Sequence, residues 1–172
     1  MERLRRQGIS GLISFGLAGG LDPALQPGAL IVPRAVVLGA EQWNADPALS
    51  ARLGGDTGHA VVGGGEIVAT AAAKAALRRA TGAAAVDLES AAVARAGLPF
   101  AVLRAVCDPA DRDLPHAATA ALDAKGRIGA LRVALAAVAH PRELPGLIRL
   151  TGDAARARRA LLARVHLVDA LG

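Results

Sequence analysis

Two apolar runs flank a short small-residue segment in the middle of this chain, and together they restrict its fold more than any other feature. The first, Ala84-Ala85-Val86, steps through the acidic Asp87-Leu88-Glu89 into a stretch whose spacing predicts a short helix from Glu89 to Ala96. Gly97-Leu98-Pro99 stops that helix, and Phe100 to Cys107 follows as a second buried strand that leaves through Asp108-Pro109-Ala110-Asp111. Strand, helix and strand in this order predict an α/β domain around a central mixed, largely parallel sheet. Ligands of such sheets bind at strand ends, where Glu89 and Asp108 fall.

Upstream, Ile9 to Phe15 reads as a strand that leads into a small-residue turn, Gly16-Leu17-Ala18-Gly19-Gly20. Two readings of that turn stand: it needs glycine for its dihedral angles, or its backbone comes close to a ligand and points N–H groups at an anion. Ala29 to Val32 and Val36 to Leu38 read as further strands, and Asp46-Pro47-Ala48-Leu49 starts a short helix inside a polar excursion from Gly39 to Gly58. Ala60 to Val62 and Glu66 to Ala69 are expected as a pair of strands around Gly63-Gly64-Gly65. Thr70 caps a helix from Ala71 to Ala80 that Thr81-Gly82 ends. From Leu114 onward, helical segments are expected, broken by Gly126, Gly129, Pro141, Pro145 and Gly152. In the last of them Leu150, Ala154, Ala157, Leu161, Val165 and Val168 form an apolar stripe, with Arg149, Arg156, Arg159 and Arg164 off it. Such a helix either packs on the domain by one face or lies on anionic lipid.

The 172 residues are expected to form one domain, 1–172, with its motifs in 8–115 and a helical part in 116–172, and 53% hydrophobic content suffices for a core. With no Tyr, one Trp and two Phe there is little to stack on bases, and the +5 charge is spread out, so no nucleic-acid partner is expected. The lone Cys107 cannot form an internal disulfide, which points to a reducing, cytoplasmic compartment. His59, His116, His140 and His166 lack ligand spacing, so neither a metal nor another cofactor is expected. No uncharged apolar run reaches the ~18 residues of a membrane span. Membrane contact is then limited to a peripheral one at the inner face through residues 147–171.

Each acidic candidate has two readings. Asp108 can cap a helix that starts at Pro109, or it can be a partly desolvated carboxyl, its pKa raised, that donates a proton; both can hold at once. Glu89 can complement a helix dipole behind an Asp87 cap, or its two acceptor oxygens can hold a vicinal diol such as that of ribose. Ser90 has no Gly-x-Ser-x-Gly elbow around it, and Cys107 reads as a small buried hydrophobe.

In order and spacing, Gly16-Leu17-Ala18-Gly19-Gly20-Leu21-Asp22-Pro23 with Gly28 to Val32, then Val86 to Ala94, then Arg104 to Asp111 resemble the nucleoside phosphorylase and nucleosidase superfamily. Phe15-Gly16-Leu17-Ala18-Gly19-Gly20, the helix start Ala71 to Leu77 and the Arg- and Leu-rich tail are most similar to its hopanoid-associated branch, linked to adenine removal from adenosylhopane. The resemblance implies a three-layer phosphorylase-like fold, a homodimer, and N-glycosidic cleavage of an adenosyl compound. It implies that Glu89 holds the ribose diol, that Leu88 stands where a methionine usually lies under the sugar, and that Asp108 protonates the leaving purine at N7. Gly16, Ala18, Gly19 and Gly20 would line the sugar and nucleophile side, with water or phosphate as nucleophile.

The chain also departs from the family pattern. The family's first strand and its glycine or glutamate loop are not in the sequence, and residues 1–7 match the end of a helix, so a reading frame truncated or misassigned at its start is expected. Leu17 replaces the usual Ser or Cys, and Ala69 to Ala73 lacks the aromatic that stacks on the base. Two other enzyme readings, a methylthioadenosine/S-adenosylhomocysteine nucleosidase and a purine nucleoside phosphorylase, stand beside a different class, a non-catalytic remnant that keeps the fold for binding or assembly.

Overall fold

A computed structural model of the protein describes residues 8–120 and 141–170. Its strands are β1 (Leu12–Gly20), β2 (Leu30–Ile31), β3 (Ala35–Leu38), β4 (Glu41–Asn44), β5 (Ala60–Gly63), β6 (Ala85–Asp87) and β7 (Phe100–Asp108). The helices are α1 (Pro47–Arg52), α2 (Ala71–Thr81), α3 (Ser90–Ala94), α4 (His116–Ala120) and α5 (Leu144–Ala170). One sheet of order β2-β7-β1-β6-β5-β3-β4 holds all seven strands. It is mixed: β1–β7, β3–β5 and β5–β6 pair in parallel, whereas β1–β6, β2–β7 and β3–β4 are antiparallel. The α/β class predicted from the apolar runs is the one observed.

The two runs that dominate the sequence are not neighbours, because β1 lies between β6 and β7. It joins two parallel blocks, running with β7 along most of its length and meeting β6 in antiparallel fashion only at Gly19 and Gly20. The expected turn at Gly16 to Gly20 is therefore corrected: it is the extended second half of β1. Its glycines answer to crowding rather than to left-handed dihedrals, since a Cβ on Gly16 would meet Arg104 Nη1 at 3.0 Å, and one on Gly20 would meet Val106 Cγ1 at 3.2 Å. The register shifts between Ala18 and Gly19, which moves from the expected Cys107 to pair with Asp108.

Several local expectations hold. Asp46 accepts from Leu49 N at 2.9 Å at the head of α1, and Thr70 Oγ1 accepts from Ala73 N at 3.1 Å at the head of α2. Gly82 closes α2 at φ 67°. Others need correction. The polar excursion contains β4, a strand that depends on its antiparallel partner β3 more than on its own apolar content. Glu66 to Ala69 is irregular, not a strand, and no helix starts at Pro109, because the Asp108 carboxylate is engaged elsewhere. Pro145 and Gly152 do not break a helix: Pro145 sits in the first turn of α5, where its missing N–H costs nothing, and α5 runs on past Gly152. Gly126 and Gly129 lie outside the described residues.

The core is divided by the alternation of β7. Phe100, Val102 and Val106 pack on one face with Ala18, Val36, Val61 and the α3 residues Ala91 and Ala94. Ala101, Leu103 and Ala105 pack on the other with Ala157 and Leu161 of α5. Of the predicted α5 stripe, Ala157 and Leu161 are buried and Leu150, Ala154 and Val165 half-buried; the Val168 side chain lies outside the described set.

Candidate active site

Arg104 is the one charged residue between Phe100 and Cys107, and it points into the α3 face of the core at 1% exposure. An unpaired guanidinium there would be costly, and partners come from the neighbouring β1, from the end of β6 and from the first residue of α3. Its Nε donates to Asp87 Oδ2 at 2.9 Å, and Nη2 donates to Ser14 Oγ at 2.7 Å and to Ser90 Oγ at 2.9 Å. Asp87, at the exit of β6, also accepts from the backbone N–H groups of Glu89 and Ser90, both at 2.7 Å, and from Ser90 Oγ at 2.6 Å. Burial pushes the Asp87 carboxyl up, but the Arg104 hydrogen bond and charge, with the Ser90 donors, hold it below the ordinary range. Asp87 thus fixes the start of α3 and with it the backbone of Glu89. Among the described residues Arg104 Nη1 has no hydrogen-bond partner, and it lies beneath Gly16.

Asp108 ends β7 and is also buried. Lys74 Nζ of α2, itself at 0% exposure, lies 2.6 Å from Asp108 Oδ2 and donates to the carbonyls of Pro109 at 2.9 Å and Arg112 at 2.8 Å. Burial raises the Asp108 pKa above its ordinary value, partly offset by the hydrogen bond and charge of Lys74 and by Arg112. Next to it, burial and the Asp108 charge push the Cys107 thiol up to about 11, so it stays protonated at neutral pH, and Sγ is 3.5 Å from the Ala18 carbonyl.

These strand ends open into one cavity of about 470 Å³. Gly16, Leu17, Ala18 and Gly19 of β1, Leu88 and Glu89 after β6, and Asp108 of β7 all line it, together with Asp87, Arg104 and Cys107. Glu89 is exposed and Asp108 is 6% exposed, so the cavity pairs a solvated carboxylate with a desolvated carboxyl. Its remaining wall is mostly aliphatic, from Ile67, Val68, Leu114, Ala118, Leu150 and Ala154, with the carboxylate of Glu66 beside them, and among the described residues it has no aromatic ring. Gly20 stands outside the lining, closed in by Val106 and Asp108. Sequence reasoning missed Lys74 and Arg104. A lone charge in an apolar strand was a legible signal for Arg104. Lys74 gave none, since a lysine in an alanine-rich helix reads as solvated. Among the described residues no cluster of His, Cys, Asp and Glu could hold a metal ion.

Fold and site together define an α/β protein with a carboxylate-lined cavity at its strand ends. The chain belongs to the phosphorylase superfamily, whose model matches residues 1–140. No curated protein matches it. Among solved structures it is similar to the 5′-methylthioadenosine/S-adenosylhomocysteine nucleosidase of Helicobacter pylori in complex with butyl-thio-DADMe-Immucillin-A, at TM-score 0.60 and 18% identity over 96% of this chain and 72% of that one. It is also similar to the corresponding nucleosidase of Colwellia psychrerythraea with adenine, at TM-score 0.57 and 23% identity over 66% of this chain and 60% of that one. A third, the futalosine hydrolase of Helicobacter pylori, matches at TM-score 0.55 and 21% identity over 62% of this chain and 60% of that one. At these identities the likeness is one of fold, and the chain spans about three fifths of the length of the last two.

Proposed function

We propose that the protein cleaves the N-glycosidic bond of an adenosyl compound and releases adenine. The observation that carries this reading is the lining of one cavity by a buried carboxyl, Asp108, and a solvated carboxylate, Glu89. N-glycosidic cleavage passes through an oxocarbenium-like state, so it needs a protonated leaving group and a fixed sugar more than a strong nucleophile. In this reading Asp108 gives its proton to purine N7 as the electron pair of the C1′–N9 bond passes to the base. Glu89 accepts from the ribose 2′- and 3′-hydroxyls, and Leu88 lies under the sugar. Gly16, Ala18 and Gly19 leave room for the nucleophile, and Arg104 Nη1 beneath Gly16, without a partner among the described residues, can orient water or phosphate there. Gly20 supports this side through the sheet.

The aliphatic wall formed by Ile67, Leu114 and Leu150 suits an apolar 5′ substituent, so the finer proposal is an adenosylhopane-like substrate in hopanoid biosynthesis. It goes with a single domain over residues 1–172, a cytoplasmic location and peripheral contact with the inner membrane face through residues 147–171. No helix among the described residues is long and apolar enough to cross a membrane. The proposed homodimer would use the outer face of β1, where Ile13, Phe15 and Leu17 are 43%, 57% and 40% exposed.

The test is adenine release from adenosylhopane and from methylthioadenosine, with and without phosphate. Adenine release from adenosylhopane in preference to methylthioadenosine is expected, together with its loss in an Asp108→Asn variant that circular dichroism shows to be folded. Phosphate dependence separates phosphorolysis from hydrolysis. No release from the folded protein, or a fully active D108N, would overturn the reading and favour a binding role.

A further inference from the structure

Lys74 is a buried cation that the reaction just described does not use. It sits in an alanine-rich helix where a lysine could face solvent, yet it is at 0% exposure. An ammonium has three donors and no acceptor, and here each has an oxygen: Asp108 Oδ2, the Pro109 carbonyl and the Arg112 carbonyl. Saturated in this way, it has no donor left for a ligand in the cavity. Two more bonds hold the head of this helix and the residue before its cap on the loop after β7, since Asp113 Oδ1 accepts from Ala71 N at 2.7 Å and Leu114 N donates to Ala69 O at 2.7 Å. Among the described residues no donor reaches Asp108 Oδ1.

We propose that Lys74 is a positioning residue for the acid: it holds Asp108 Oδ2, leaves Oδ1 to carry the transferable proton, and stabilises the carboxylate left behind. The proposal rests on the acid role argued above. In the step itself the proton passes from Oδ1 to the leaving base, the glycosidic electron pair stays with the base, and Lys74 neither gains nor loses a proton. The arrangement answers a conflict of burial. A desolvated carboxyl holds its proton too tightly to release it readily, and a fixed cation at its other oxygen offsets this. The other groups facing Asp108 are Arg112 from the following loop, Asp153 from α5 and the neighbouring Cys107 thiol. Arg112 is itself paired with Asp153 at 2.6 Å, which leaves Lys74 as the cation in direct contact among the described residues.

The experiment is a carboxyl ¹³C NMR titration of Asp108 in the full chain, its signal identified by its loss in D108N, compared between wild type and Lys74→Met. Removal of the cation is expected to move the midpoint up by about one pH unit or more, and to move the high-pH limb of base release upward with it. A midpoint unchanged within a few tenths of a unit would overturn the proposal. If K74M does not fold, Lys74→Gln, which keeps the length and two donors, is read in the same way. In wild type alone, Lys74 Nζ protons in slow exchange that shift as Asp108 titrates are expected, and fast exchange as at a surface lysine would refute the pairing. A wild type that releases no base would sink the acid role, while the titration would still decide the Lys74 pairing.

Discussion

Arg104 and Asp87 show how one buried charge requires another. Both are nearly inaccessible, so removal of either leaves an uncompensated charge in the core. Arg104→Met should destabilise the fold by about 3–5 kcal/mol in urea denaturation, the usual cost of breaking a buried pair by one partner. The pH dependence carries a definite sign. Because the folded-state pKa of Asp87 lies below its ordinary 3.8, its contribution is fully present above that value and is lost as pH falls through the folded value. R104M should therefore flatten the acid limb of the stability profile below pH ~4, and an unchanged limb would refute the pairing. Asp108 has the opposite sign: its raised pKa favours the fold at low pH, and that advantage declines as pH rises from the unfolded to the folded value.

At the level of elements, α5 is held more by apolar packing than by its arginines, though two of these have structural contacts. Arg164 Nη1 donates to Leu53 O at 2.7 Å, and Arg156 donates to Asp153 Oδ1 at 3.0 Å while its side chain packs against Gly28. These contacts favour the surface-helix reading of the stripe. Leu161 packs with Ala157 against Ala101, Leu103 and Ala105 on the back of β7, the strand that ends in Asp108. Leu161→Ala should cost about 2–5 kcal/mol by thermal or chemical unfolding, the range for a buried leucine that leaves a cavity. A cost below about 1 kcal/mol would mean that α5 is not anchored there.

For the whole molecule, the outer face of β1 is the exposed feature that bears on association. Ile13, Phe15 and Leu17 alternate along one face of a central strand, whereas Leu12, Ser14 and Ala18 turn inward. If that face joins the proposed dimer, Phe15→Asp should convert a dimer to a monomer in light scattering after size exclusion, with adenine release measured in parallel. A dimer that persists would place the interface elsewhere.

Local chemistry made much of this protein legible from its sequence. Apolar runs marked β6 and β7, while Asp46, Thr70 and Gly82 marked helix ends through bonds spanning a few residues. Glu89 and Asp108 could be singled out because each follows an apolar run. The rest depended on long-range pairing. Whether Gly16 to Gly20 turns or extends was decided by parallel pairing of Gly16 to Gly19 with Arg104 to Asp108 and by antiparallel pairing of Gly20 with Ala85. Arg104 draws its partners from Ser14, 90 positions away, and from Asp87, 17 away. Lys74 is buried because carbonyls 35 and 38 residues ahead close over it. Periodicity and capping record which residues are apolar and how short segments end. The partner of a buried charge is fixed only when the sheet brings distant strands together, because desolvation then makes pairing obligatory.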